Sequence, residues 1–543
     1  MEALVVLYYK QMHIDPKNPA LADRDRFVLS KGHAGPALYA VLADKGYFDK
    51  EWLWTLNKPE TRLPSHCDRL RTPGIDMTAG SLGQGFSVAV GMAKAAMMDG
   101  KTHRVYAMIG DGESQEGQIW EAAQFAGQHK LRNFTGFMDY NNMQIDGLVS
   151  DQLDVQPVTT RWESFGFACE VVDGHDVAAI DEAIERSKTA GRPTMIILKT
   201  IKGKGAYFAE GKVESHNMPI TEDKGETAML DNQELRAVYI EELIRYAETD
   251  DRITLVEADL SKALSSPKFK AAYPERLIDV GICEANMIGV AAGLAVEGKL
   301  PFTHTFTPFA TRRVCDQVAI SILYAGLKAV MVGSDPGISA ELNGGTHMSF
   351  EDIGVMRSLP GLTIVEPVDA AQLRAALPQI LSCKEAVYLR LFRKQARKIY
   401  DEGCAFTLGK VSTLRDGGDV TIIASGIMVG ESLDAADLLA NEGIKARVLD
   451  MHTIKPLDRE AVVRAAKETG AIVTCDNHNV IGALGTAVAE VTAEECPVPV
   501  VRIGVTDHFG EVGKMDFLKA KYHMTAADIA AAARTAIQKK GGR

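Results

Sequence analysis

The chain has no Cys-x-x-Cys pair. Its eight cysteines (67, 169, 283, 315, 383, 404, 475 and 496) are scattered, which argues against a zinc site or a disulfide frame and for reduced thiols in a cytoplasmic setting. It also has no excess of positive charge. With 60 Lys and Arg against 72 Asp and Glu the net charge is −12, so neither nucleic acid nor an anionic membrane is expected as a partner. No uninterrupted apolar run reaches membrane-spanning length. The start, Met1-Glu2-Ala3-Leu4-Val5, lacks a basic region followed by a cleavage site, so no signal peptide is expected. Internal repeats and low-complexity tracts are missing too. What is present is an ordinary globular balance, 46% apolar and 24% charged, over 543 residues. That length is too great for one core, and roughly three domains are expected.

Short apolar runs alternate with helical patterns from end to end, the signature of an α/β protein. Strands are expected at 105–109, 134–138, 194–197, 253–256, 329–332, 362–365, 387–391, 420–423, 446–449 and 472–474. Two stretches read as joints. Residues 217–232 are polar without strong periodicity, and 394–414 run from basic to acidic. They divide the chain into 1–222, 223–400 and 401–543.

The most informative pair is Asp111 and Asn141. Asp111 stands in Gly110-Asp111-Gly112-Glu113, after the run Val105–Ile109, and Asn141 in Asp139-Tyr140-Asn141-Asn142, after Phe134–Met138. Residues 114–131 between them read as a helix. Both polar groups therefore belong at the carboxyl ends of two parallel strands, where open α/β sheets bind ligands. A carboxylate and an amide oxygen there suit a hard cation with two positions left for phosphate oxygens. The glycines allow the backbone to come close to a phosphate.

This pattern resembles the metal–diphosphate motif of thiamine diphosphate enzymes, and the rest of the chain is similar to transketolases. The first block carries Arg24-Asp-Arg-Phe-Val-Leu-Ser-Lys-Gly-His33, Leu63-Pro-Ser-His66 and Gly80-Ser-Leu-Gly-Gln-Gly85. The second carries Gly281-Ile-Cys-Glu284, Thr303-His-Thr-Phe-Thr-Pro-Phe309 and Gly344-Gly-Thr-His347; the third, Ile454-Lys-Pro-Leu457 and Asn479-Val-Ile-Gly-Ala-Leu-Gly485. The wording is nearest to transketolases encoded as two subunits, here joined in one chain through the segment around 217–232. The resemblance implies three α/β domains with mostly parallel sheets: a pyrophosphate-binding domain, a pyrimidine-binding domain and a C-terminal domain. It also implies a homodimer whose sites lie between the first domain of one subunit and the second domain of the other.

The activity implied is reversible transfer of a two-carbon ketol unit from a ketose or its phosphate to an aldose or its phosphate, through a carbanion that thiamine diphosphate supports. By resemblance Asp111, Asn141 and the carbonyl of Met143 hold the metal. The ligand set suits magnesium and calcium, and cellular availability favours magnesium. Gly83, Gly85, Gly112, Asp259, Phe306 and Phe309 contact the cofactor, with Phe309 stacked on its pyrimidine. Glu284 would face the pyrimidine nitrogen, and Glu116 would join it in a proton relay. His33, His66, His216 and His347 would move protons at the sugar hydroxyls, since imidazoles titrate near the working pH. His175, in Asp173-Gly-His-Asp176, reads instead as a structural residue at a helix entry.

The chain departs from the family in two places. A Ser-Gly-His segment that transketolases carry before the equivalent of Leu4 has no counterpart. At the substrate's anion end, Arg236 and Arg393 match the two phosphate-binding arginines, but Asp335 stands where the family has a His, Asn343 where it has an Asp, and Ala263 near a Ser position. A carboxylate at Asp335 would repel a sugar phosphate, so an altered sugar specificity is expected. The rival readings are a relative that first decarboxylates a 2-oxo acid, such as a deoxyxylulose-phosphate synthase, and a catalytically silent transketolase-like protein.

Overall fold

The computed structural model describes residues 1–204, 210–213 and 234–541. It contains three sheets, each covered by helices. The first is fully parallel and runs β1 (Arg26–Leu29), β2 (Val105–Gly110), β3 (Phe134–Tyr140), then β5 (Thr194–Lys199) and β4 (Ala168–Asp173) at the edge. β2, β3 and β5 are almost wholly buried, as expected of strands sandwiched between helix layers. β4 alternates between half-buried and exposed positions because it has a neighbour on one side only.

The second sheet uses β6 (Ile253–Glu257), β7 (Leu277–Asp279), β8 (Leu300–Phe306), β9 (Val330–Ser334), β10 (Leu362–Val365) and β11 (Ala386–Leu391), in the order β10-β11-β9-β8-β6-β7. The third is built from β12 (Ser412–Arg415), β13 (Val420–Ala424), β14 (Ala446–Asp450), β16 (Ile472–Asn479) and β17 (Val500–Val505), with only β12 antiparallel. β15 (Thr453–Lys455) leaves this region and pairs antiparallel with β10, so the second sheet ends on a strand from the third. The fully buried Arg390 lies between the same two units. It pairs with Asp352 at 2.7 Å and Glu366 at 2.6 Å and donates to the Asn477 carbonyl at 2.7 Å.

The expected strands all coincide with these elements, although β9 starts at Val330, one residue later than expected. The expected helix over 114–131 is shorter. A 3₁₀ turn spans Gly112–Gln115, Glu116 is extended (φ −61°, ψ 128°), and the helix runs Gly117–Gln128. No helix among the described residues is long and apolar enough to cross a membrane.

Candidate active site

β2 and β3 are neighbours in exact parallel register, Gly110 opposite Asp139, so the loops that follow them meet. Asp111 receives the Gly112 N–H at 2.9 Å on one oxygen and the Asn142 N–H on the other. Asn141 folds its amide oxygen onto the Met143 N–H at 3.0 Å. Burial raises the Asp111 carboxyl to about 6, the state of a carboxylate whose charge is only partly compensated. Lys31 lies beside it and is held by Asp139 at 2.6 Å. Burial opposes ionisation of Asp139, but the Lys31 charge and hydrogen bond and the Thr200 hydroxyl outweigh it and hold the group at about 2.

The glycines form a cradle. Gly83 has φ +84°, and a Cβ there would lie 3.2 Å from Glu116. At Gly85 a Cβ would lie 2.8 Å from the Ser30 backbone, and at Gly112 one would lie 3.3 Å from Gln144. A side chain at these positions would press against Glu116, Ser30 or Gln144 and push these segments apart. An acidic and amide oxygen pair, a neighbouring cation and a side-chain-free cradle fit a divalent metal carrying a diphosphate.

The second sheet supplies the opposite wall. Glu284 opens the helix Glu284–Val296 and is buried. Arg313 donates from one nitrogen to Glu284 at 2.6 Å and to Glu116 at 3.1 Å, and from the other to the Ser81 hydroxyl. Burial, then the charge of Glu284, raise the Glu116 carboxyl. The Arg313 guanidinium also covers the Phe309 ring, 4.1 Å from its centroid. Phe309 was expected to stack on a pyrimidine, so its outer face is shared with an arginine that the sequence reading missed.

Asp259 takes a left-handed conformation (φ +57°) at the end of the β6 loop and accepts the Ile145 and Asp146 N–H groups at 3.3 and 3.2 Å. It thereby ties down the loop that carries Asn141 and Met143. Burial, reinforced by Asp146, raises it to about 8. Asp146 and Asp279, also missed in the sequence, cluster with it. Their oxygens take backbone N–H groups of Ser261, Lys262, Gly281 and Asp259.

The histidines divide. His66 and His347 stack, ring centroids 4.6 Å apart, with Phe306 and Phe309 edge-on to His347 at 5.6 and 5.1 Å. Burial lowers His66 to about 4 and takes His347 well below its ordinary value, so both rings are neutral at pH 7. His66 stands at a cavity of about 520 Å³ that Ser81, Arg312, Asn343, Thr346 and Val512 also line. His33 is exposed on the turn Gly32–Ala34, and His216 lies outside the described residues. His175 bridges Glu2 and the Ile201 N–H at the entry of the helix Val177–Thr189, a structural role.

At the far end the Arg393 guanidinium lies 5.3 Å from the Phe306 ring centroid. Arg236 and Arg393 both donate to the Ala263 carbonyl, at 2.9 and 3.3 Å, and Arg393 pairs with Asp335 at 2.6 Å.

The resemblance implies that the two walls come from different subunits. Within the chain the first and second units also meet directly. The seam is closed by Arg313, by Gln115 accepting the Ile282 N–H at 3.0 Å, by Cys283 donating to the Gln115 carbonyl at 2.9 Å, and by Asp146 capping the Ser261 and Lys262 N–H groups.

Known proteins match this sequence. The transketolase thiamine diphosphate-binding domain matches residues 1–233, the transketolase pyrimidine-binding domain 231–398 and the transketolase C-terminal domain 409–529. The 6-deoxy-6-sulfo-D-fructose transketolase subunit SqwH of Clostridium sp. (strain MSTE9) is 58% identical over 314 residues, 58% of this chain and 98% of that protein. Subunit SqwG from the same strain is 57% identical over 229 residues, 42% of this chain and 83% of its own length. Human transketolase is 32% identical over 549 residues, covering 93% of this chain and 87% of that one. A solved split-gene transketolase, described as an inactive β4 tetramer, aligns with 56% of this chain and 99% of its own at a TM-score of 0.53 and 41% identity. From three successive domain matches and a relative spanning nearly its whole length, the chain belongs to the transketolase family.

Proposed function

We propose that this chain is a magnesium- and thiamine diphosphate-dependent transketolase whose donor ketose is 6-deoxy-6-sulfo-D-fructose. The observation that carries the reading is the single seam that joins the Asp111–Asn141 loops to the Glu284–Arg313–Glu116 cluster and the His66–His347 pair. The choice of sugar is supported by the names of the two relatives above 50% identity and by the altered anion end. Removal of two carbons from that ketose leaves a four-carbon aldehyde that keeps the sulfonate.

When bound, thiamine diphosphate supplies the electron sink for cleaving a carbon–carbon bond beside a ketone. Asp111, Asn141 and the Met143 carbonyl would hold the metal, and the cradle of Gly83, Gly85 and Gly112 would admit the diphosphate. Glu284 would hold a proton at the pyrimidine nitrogen, with Glu116 sharing charge through Arg313. Asp259 would position the metal loop, and Phe306 and Phe309 would wall the ring. His66 and His347, neutral at pH 7, are able to take a proton from a sugar hydroxyl and return it. His33 and His216 would serve the same hydroxyls. Asn343 faces the cavity beside His66 and suits a hydroxyl of the sugar. The proposal includes a cytoplasmic homodimer divided near residues 222 and 400.

The test is product analysis with purified protein, thiamine diphosphate and magnesium. Hydroxypyruvate, fructose 6-phosphate and 6-deoxy-6-sulfofructose serve as donors, and glyceraldehyde 3-phosphate and glycolaldehyde as acceptors. The sulfonated ketose is expected to give the sulfonated four-carbon aldehyde. Turnover of the phosphate alone would make this an ordinary transketolase, and release of carbon dioxide from a 2-oxo acid other than hydroxypyruvate would favour the decarboxylating relative.

A further inference from the structure

We propose that Asp335 is the specificity-determining residue that sets the anion end of this cleft for a sulfonate monoanion rather than a phosphate dianion. The inference rests on the donor reading above. It is drawn from the way charge is distributed around the two arginines.

Arg236 and Arg393 converge on one carbonyl, that of Ala263, and the Arg236 N–H donates to the Arg393 carbonyl at 3.1 Å. Two guanidinium groups held side by side would ordinarily make a strong site for a doubly charged oxyanion. Here each has its own carboxylate, Glu234 at 2.7 Å from Arg236 and Asp335 at 2.6 Å from Arg393. The next cation, Lys394, is matched by Glu341 at 2.7 Å. The cluster is therefore close to neutral before any substrate enters.

The two carboxylates are not equivalent. Glu234 is exposed enough for water to screen it, whereas Asp335 is 1% exposed and sits directly beyond β9 with φ +53°. One of its oxygens holds the Arg393 Nε. The other is buried and has no hydrogen-bond partner. That oxygen is an acceptor without a donor, and a sugar hydroxyl next to the charged end carries the hydrogen it lacks. A second negative charge brought against the same carboxylate is disfavoured, and the low-polarity surroundings enlarge the effect.

A sulfonate carries one negative charge at every working pH. A phosphate monoester carries between one and two near neutrality, because its second pKa is about 6. The repulsion from Asp335 thus grows with pH for the phosphate, whereas the charge that the sulfonate presents to it stays the same.

The experiment compares kcat/KM for 6-deoxy-6-sulfofructose and fructose 6-phosphate, with uncharged glycolaldehyde as acceptor, in wild type, Asp335→Asn and Asp335→His, at pH 6 and pH 8. Thermal melts confirm folding of each variant. Wild type is expected to favour the sulfonate, and its KM for the phosphate to rise between pH 6 and 8 while that for the sulfonate stays level. Both variants are expected to shift the ratio toward phosphate by about tenfold or more, mainly through KM, and to flatten the pH dependence. Folded variants that keep the wild-type ratio and pH profile would overturn the proposal and leave the donor reading standing. Wild type that turns over hydroxypyruvate but neither hexose would overturn the donor reading and this proposal with it.

Discussion

Arg313 holds together two carboxylates that would otherwise repel, and it covers an aromatic ring while doing so. Replacing it with Met keeps the bulk over Phe309 and leaves Glu116 and Glu284 buried without a cation. Breaking a buried pair by removing one member costs roughly 3 kcal/mol or more. Arg313→Met is therefore expected to lower the melting temperature of the cofactor-free protein, and calorimetry at pH 7 checks it. An unchanged melting temperature would mean that the arginine bears no such load. At this scale the sequence was legible where chemistry needs a particular side chain at a strand end, as at Asp111 and Asn141. Arg313, Asp146 and Asp279 were not legible, because most of their hydrogen-bond partners lie 20 to 232 positions away and only the fold brings them together.

The strands were readable from their apolar runs because both faces are covered, so that every residue of β2, β9 and β11 except Gly110 is buried. The helix after Asp111 was read too long because periodicity continues through Ser114–Glu116 while the backbone does not. The extended Glu116 interrupts it and directs that carboxylate across the seam to Arg313. Strand ends also carry the contact between the second and third units. Asp450, the last residue of β14, is wholly buried and accepts from Gln372 at 2.6 Å and the Tyr400 hydroxyl at 2.8 Å, while its other oxygen has no partner. Burial is the main cause of its rise to about 7, from 3.8. A carboxyl raised in the folded state contributes stability that is complete below pH 4 and is lost as pH rises through 7. Asp450→Asn, which cannot ionise, is expected to be more stable relative to wild type at pH 8 than at pH 5. Denaturant unfolding at the two pH values measures the difference, and an equal effect at both would show that Asp450 is not protonated in the folded protein.

At the scale of the molecule, three α/β units were legible from alternating patterns and motif order, and the joining of two subunit-like halves from the wording of the motifs. Which walls face each other was not, since nothing local in the sequence distinguishes a seam within one chain from one between two. If the sites form between the chains of a symmetric dimer, as the resemblance implies, a mixture of Asp111→Ala and Glu284→Ala proteins is expected to return up to about a quarter of wild-type activity through mixed dimers. A mixture that stays inactive would place both walls of each site in one chain. The ketol-transfer claim itself is tested most directly by Glu284→Ala alone, assayed for sulfonated-aldehyde formation beside cofactor binding followed by tryptophan fluorescence. The expected result is turnover in wild type and a loss of roughly a thousandfold in a variant that still binds thiamine diphosphate and magnesium. Turnover in the variant within about tenfold of wild type, or no transfer by a wild-type protein saturated with cofactor, would contradict it.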